Sequence, residues 1–381
     1  MTDMMFGYSP ILGNGGINGR FNWTSSNNSL DTLGLINTPN PLMYSISANN
    51  QEIFPDGYVI TNTTVSNAFS GGILHPNGKI YFIPASETFV QEFNPLTNEV
   101  INFGSLGATT NKWFSAAIAQ NGLIYCLPYT SINILVINPY NRTTSLLGTS
   151  AGGTFSNFYR GAVLGRNNKI YAIPSNSTAS DSFEFNPYTN ETIFFGNVGS
   201  VQYYGGVLAP NGKIYCIPYS TNNCGIIDTD NKTINTFTTI ATGAASSNYM
   251  GGVLAPNGKI YCIPSSATRV MEINPLTNTT KLIGSNLGTG TNKWAGGYLG
   301  PDNFIYCMPF SETSILRIDW LNGITDNIYS IAGTQKFHGG LLHPNGSGYG
   351  ITHSSDTILK LDFKVSIKSE PLLCREVNKN I

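Results

Sequence analysis

Apolar and polar positions follow one pattern along most of this chain, and the pattern returns seven times. Between Gly251 and Asn278 it reads GGVLAPNGKIYCIPSSATRVMEINPLTN. Short apolar runs bounded by Gly, Pro and Asn predict four strands per unit. In this copy they are Gly251 to Pro256 (strand a), Lys259 to Pro264 (b), Arg269 to Pro275 (c) and Thr279 to Gly284 (d). The Asn-Gly pair between a and b predicts a tight hairpin with positive φ. The segment NPLTN between c and d predicts a Pro-containing turn with an Asn free to take a left-handed position. Within b, Ile260 and Cys262 share one face and Tyr261 and Ile263 the other. Both faces are apolar, as expected of a strand covered on both sides.

The tyrosine of strand b measures the repeat. It falls at Tyr81, Tyr125, Tyr171, Tyr215, Tyr261, Tyr306 and Tyr349, in steps of 44, 46, 44, 46, 45 and 43. A period near 45 with four strands per unit predicts an all-β fold, a seven-bladed β-propeller of four-stranded antiparallel blades. The expected propeller spans residues 56–369, with repeats starting near 71, 115, 161, 205, 251, 296 and 339. A non-repeat N-terminal arm (1–55) and a C-terminal tail (370–381) flank it. The seventh copy stops after strand c, so its fourth strand comes either from Lys364 to Ser369 or from Gly57 to Thr61. The alternation of GYVIT favours the N-terminal donor, which would also remove an exposed edge. The Gly pair opening strand a fits a crowded inner edge. The acid or amide ending strand c (Asn94, Asn138, Asn186, Asp228, Asn274, Asp319, Asp362) is expected to cap the turn that follows.

The copy KIYCIPSSATRVMEINPLTNTTKLIGSNLG, preceded by GGVLAPNG, resembles the YVTN-type propeller repeat, whose pattern runs from SPDG through a VYVAN strand to VIDPATN. The resemblance covers Gly71 to Phe363. It implies a propeller of the kind found in surface-layer, periplasmic and other binding proteins, and it carries no catalytic motif. The Asn-rich style, with Ile-Pro after the tyrosine, is also similar to propellers of large DNA viruses and phages, which implies a virion-associated component.

Composition narrows the partners. Only 11% of residues are charged and the net charge is -1, so neither a nucleic acid nor an anionic membrane is an expected partner. Amides and hydroxyls supply the polarity instead, which predicts binding through hydrogen bonds and aromatic contacts with weak salt dependence. No apolar run reaches 18 residues, so no membrane insertion is expected. The start, MTDMMFGYSPILGNGG, lacks a basic region followed by an apolar run, and no signal peptide is expected. Cys126, Cys216, Cys262 and Cys307 occupy one repeat position, where equivalents on different blades lie too far apart for a disulfide. They read as small buried residues of a protein made in a reducing cytoplasm.

Two sets of positions are candidates for a site. Twelve residues before each ruler tyrosine stands an aromatic: Phe69, Trp113, Tyr159, Tyr203, Tyr249, Trp294 and Phe337. These either pack between blades or ring one mouth of the channel as a stacking rim. The b-to-c loops at the same end diverge between copies, with Glu87, Asp181, Glu312, His353 and Asp356 as binding candidates. His338, His353 and Asp356 offer general acid–base chemistry but have no nucleophile in a defined relation to them. His75 and His343 share an a-to-b turn position, with too few neighbouring ligands for a metal. No nucleophile elbow, P-loop, zincin or EF-hand motif is present. These features predict a non-enzymatic binding protein without cofactor or metal. It would dock to protein neighbours through its arms and present one face to a glycan or receptor. The alternatives are a propeller lyase or hydrolase and an intracellular scaffold.

Overall fold

The computed structural model describes residues 53–59, 67–148, 158–175, 181–239, 247–333, 336–354 and 357–363. The arm before residue 53 and the tail after 363 lie outside them. Seven four-stranded antiparallel sheets follow one another around a ring, with no helix among the described residues. Blade five shows the unit: a, Tyr249–Leu254; b, Ile260–Pro264; c, Val270–Asn274; d, Thr279–Ile283. Blade one starts at Phe69 and blades two to seven at Trp113, Tyr159, Tyr203, Tyr249, Trp294 and Phe337.

Strand a begins two residues earlier than the Gly pair predicts. Tyr249 still pairs with Pro264, after which the register shifts and Gly252 pairs with Cys262. Gly251 sits in that irregularity with φ 89, and Gly71, Gly205, Gly296 and Gly339 repeat the positive φ. The first glycine therefore serves a bulge, which re-aims the side chain just before it. The second glycine answers the crowding. A Cβ at Gly297 would lie 2.5 Å from the backbone oxygen of Tyr306.

Turn chemistry follows the sequence closely. Asn98, Asn190 and Asn278 take φ 57, 57 and 53 in their c-to-d turns, and Arg142 and Lys232 take the same conformation in blades two and four. The strand c cap forms as expected: Asn94 Oδ1 and Asn274 Oδ1 each accept an amide from two residues on at 3.0 Å. Blade seven differs, because Asp362 accepts from the Ser347 hydroxyl at 2.6 Å.

Strands a, b and c are largely buried, while strand d of blades one to six is half exposed. The cores lie between blades. Ile73, Tyr81 and Val90 of blade one pack with Trp113, Ile118, Cys126 and Leu135 of blade two. The ruler tyrosine also closes polar links inside the sheet: Tyr81 donates to Glu92 Oε2 at 2.8 Å, and Lys79 meets Glu92 Oε1 at 2.5 Å. Arg142 of blade two reaches the same carboxylate at 3.2 Å. Burial opposes ionisation of Glu92, but the bonds from Lys79, Arg142 and Tyr81 outweigh it and lower the pKa. Blades three and five repeat the arrangement with Tyr171–Glu184–Lys169 and Tyr261–Glu272–Lys259.

The ring is closed from the other terminus. The segment Ile53–Val59 pairs antiparallel with strand c of blade seven, from Ile53 opposite Phe363 to Val59 opposite Thr357. It begins four residues before the GYVIT segment singled out in the sequence and shares Gly57, Tyr58 and Val59 with it, and it makes the fourth strand of the blade whose other three strands run from Phe337 to Phe363.

Candidate functional site

The seven aromatics at the start of strand a form no open rim. Phe69, Trp113, Tyr159, Tyr203, Tyr249, Trp294 and Phe337 are all 2% exposed or less. Each precedes the bulge, so its side chain enters the gap between blades. Trp113 Nε1 donates to Asn133 O at 2.9 Å and Trp294 Nε1 to Ser314 O at 2.7 Å, which fixes both indoles in the packing. The expectation of a stacking rim is corrected accordingly: an aromatic kept in every copy is what repeated blade packing requires.

The next residue along strand a behaves differently. Ser70, Phe114, Arg160, Tyr204, Met250, Ala295 and His338 differ in every blade, and the bulge turns this position toward the axis. A second ring follows strand b: Ala85, Tyr129, Ser175, Tyr219, Ser265, Phe310 and His353. Side chains from the two rings meet. Tyr204, Met250, Ala295 and Phe310 form one apolar cluster, with Phe114 and Tyr219 against it. Tyr204 of blade four and His338 of blade seven share a hydrogen bond of 2.5 Å. These side chains thus plug the channel at this end, and the plug forms a floor across the mouth of the ring.

A belt of main-chain bonds holds the floor in place. Within a blade, the amide after strand b donates to the carbonyl before strand a, as in Tyr129 to Lys112 at 2.8 Å and Phe310 to Lys293 at 2.9 Å. Between blades, the amide before strand a donates to the preceding blade's second-ring carbonyl. These pairs are Lys112 to Ala85, Asn248 to Tyr219, Lys293 to Ser265, Lys336 to Phe310 and, across the ring closure, Ala68 to His353. Backbone groups carry the frame, so the side chains mounted on it are free to vary.

Arg160 occupies the aromatic half of the floor. Its guanidinium lies 4.9 Å from the Tyr129 ring centre, 5.1 Å from Tyr204, 5.4 Å from Tyr219 and 5.7 Å from Phe114. It donates to Tyr129 Oη at 2.6 Å, and its Nε is buried with no hydrogen-bond partner. Among the described residues it forms no ion pair. On the far side, His338 and His353 stand with ring centres 5.0 Å apart, both against Phe310. Burial, then the neighbouring His353 and Arg160, drives the His338 pKa well below its ordinary value. Burial lowers His353 as well, and its Nδ1 donates to Phe69 O at 2.7 Å. Both imidazoles are therefore neutral at pH 7, leaving Arg160 as the charge of this cluster.

Of the divergent-loop candidates among the described residues, only His353 joins the cluster. Glu87 is buried beside Lys112, whose Nζ donates to the Glu87 carbonyl at 2.9 Å. The Glu312 carbonyl accepts from Lys336 Nζ at 2.6 Å. Asp181 opens strand c of blade three. Asp356 lies outside the described residues. At the opposite end, His75 Nε2 donates to Gly122 O at 3.0 Å and His343 Nε2 to Gly78 O at 2.9 Å, so these histidines staple successive a-to-b turns. Cys126, Cys216, Cys262, Cys307 and Cys224 are buried free thiols, and burial raises the pKa of each.

The axis-facing rings were hidden from a reading that looked for repeated identity. The signal of the first ring is the reverse: a position of constant spacing whose occupant changes in every copy, one residue from an always aromatic one.

Comparison with known proteins defines the class and stops there. No family model and no curated protein matches the sequence. Among solved structures, a streptogramin B lyase superposes with a TM-score of 0.69 at 12% identity, over 82% of this chain and 98% of the other. A catalytically inactive histidine-to-alanine variant of virginiamycin B lyase from Staphylococcus aureus, solved with quinupristin, gives 0.69 at 13% identity over 82% and 99%. Hydrazine synthase of Kuenenia stuttgartiensis gives 0.57 at 13% identity over 80% and 99%. At these identities the likeness is one of fold: the chain is a seven-bladed β-propeller. The YVTN-type resemblance gains no separate support.

Proposed function

We propose that this propeller is a binding protein, not an enzyme, and that it receives its ligand on the plugged mouth built from strand a and the b-to-c side. One observation carries the reading: the positions that face the axis and change from blade to blade converge on this floor, above a frame of repeated main-chain bonds. Variation on one end of a repeat array is how a recognition surface is made specific. Phe114, Tyr129 and Tyr219 are partly exposed there, and rigid aromatic faces give contact area at small entropic cost. The neutral, buried state of His338 and His353 favours binding over proton transfer, since a working acid or base must reach its substrate. The propeller lyases of the same fold keep the enzymatic alternative in view, and a histidine is needed by one of them.

The setting expected from the Asn-rich style, a particle to which the N-terminal arm and the C-terminal tail dock the propeller, belongs to the same proposal. Support for it is confined to sequence style. Co-sedimentation of the full chain with particles, lost on removing residues 1–50, is its test.

The site itself is tested on a glycan array with Phe114→Ala and Tyr219→Ala variants, and Leu276→Ala at an exposed turn of the opposite face as control. Loss of signal in the first two with retention in the third is expected. Equal loss in all three, or loss in the control alone, contradicts the reading.

A further inference from the structure

The cation in the floor has chemistry that the proposed binding role leaves open. Arg160 is walled by aromatic rings, gives one Nη to Tyr129, keeps a buried Nε without a partner and has no ion pair among the described residues. A guanidinium taken partly out of water is ordinarily met by a carboxylate or a phosphate. Aromatic faces compensate only part of that hydration. We propose that the missing group is brought by the ligand, and that it is a single carboxylate carried on a ring. The inference rests on the mouth being the binding site.

Charge counting selects the carboxylate over a phosphate. The buried lysines at this end spend their donors on loop carbonyls and offer none to a ligand on the floor, Lys293 Nζ going to Gly290 O. Lys112 Nζ donates to the carbonyls of Glu87, Gly107 and Thr109, and Lys336 Nζ to those of Glu312 and Gly333. The main-chain amides of Ala68, Lys112, Asn248, Lys293 and Lys336 are engaged in the inter-blade belt, so they add nothing to an anion cradle of the kind that holds phosphates. One guanidinium matches one negative charge, and its planar fork suits a carboxylate. The rings of Phe114, Tyr129 and Tyr219 beside it would lie against the ligand's body, which is either an aromatic ring or the face of a sugar acid.

Calorimetric titration of the full chain with four probes tests this: benzoate, benzamide, glucuronate and glucuronamide, with inorganic phosphate as a fifth. At least one acid is expected to bind about tenfold or more tightly than its own amide. Phosphate should bind more weakly than that acid. Which acid prevails tells an aromatic body from a sugar. Arg160→Met should abolish the preference for acid over amide and Arg160→Lys should keep part of it, with thermal melting confirming that both fold. The wild-type acid–amide comparison needs no variant. Acid and amide binding alike, phosphate binding more tightly than either acid, or neither acid binding below about 10 mM would each overturn the inference. If acid and amide bind alike but Phe114→Ala and Tyr219→Ala abolish both, the anion is wrong and the mouth stands. If those variants change nothing, the mouth reading fails too.

Discussion

At the scale of single residues, the floor sets a pH limit on the fold. His338 has a folded-state pKa well below its unfolded value of 6.5, because burial comes first and His353 and Arg160 add to it. The unfolded chain therefore takes up protons that the folded one refuses, and stability falls as pH drops through about 6.5, until the folded pKa is reached. The expected slope is at most about 1.4 kcal/mol per pH unit for each histidine. Urea midpoints between pH 7.5 and 5.0 should show it, and His338→Gln should flatten it. A second descent should survive in that variant below about pH 4.5. There the depressed carboxyls of Glu92 and Glu184 lose stability as pH falls through their folded values. Trp113→Ala separates packing from recognition: with the indole buried and bonded to Asn133 O, it should cost about 3–5 kcal/mol in urea. Ligand affinity per folded molecule should stay unchanged. The sequence exposed Trp113 as a repeated position but could not say which way it pointed. In blade two the register shift between Trp113 and Ser115 decides that, since it sends Trp113 between blades and Phe114 to the axis.

At the scale of strands and turns, most of the architecture was readable in advance. Asn-Gly and the strand c amides act locally, within two or three residues of the backbone they shape, and local chemistry survives in sequence. The left-handed residues at Asn98 and Asn278 and the caps by Asn94 and Asn274 show this. Only the bulge escaped, because the aromatic and its neighbour read as loop when the Gly pair is taken as the strand's start. That pair also gives the element-scale prediction. Gly297→Ala brings a Cβ to 2.5 Å from a main-chain oxygen that cannot swing away. A loss of about 1–3 kcal/mol is expected in denaturant unfolding, against a small effect at Gly148, where a Cβ comes no closer than 3.6 Å to its nearest neighbour, the Asn133 side-chain oxygen. The floor was not readable, for it depends on contacts such as Tyr204 with His338 that join blades four and seven across the axis.

For the whole molecule, the closing strand is the decisive element. Removal of residues 1–50 spares Ile53–Val59, and the melting temperature should stay within a few degrees. Removal of residues 1–60 strips blade seven of its fourth strand and bares the edge of Thr357–Phe363, so a lower melting temperature and association by size-exclusion chromatography are expected. That seam also orders events during synthesis. The strand containing Ile53 leaves the ribosome roughly 300 residues ahead of its mate ending at Phe363. At roughly 5–20 residues per second the two are separated by tens of seconds. Throughout that delay the first strand has an unmatched backbone and a ready partner in any finished or stalled neighbour. The chain's principal misfolding risk is thus an exchange of this one strand between copies, and it should grow with expression rate.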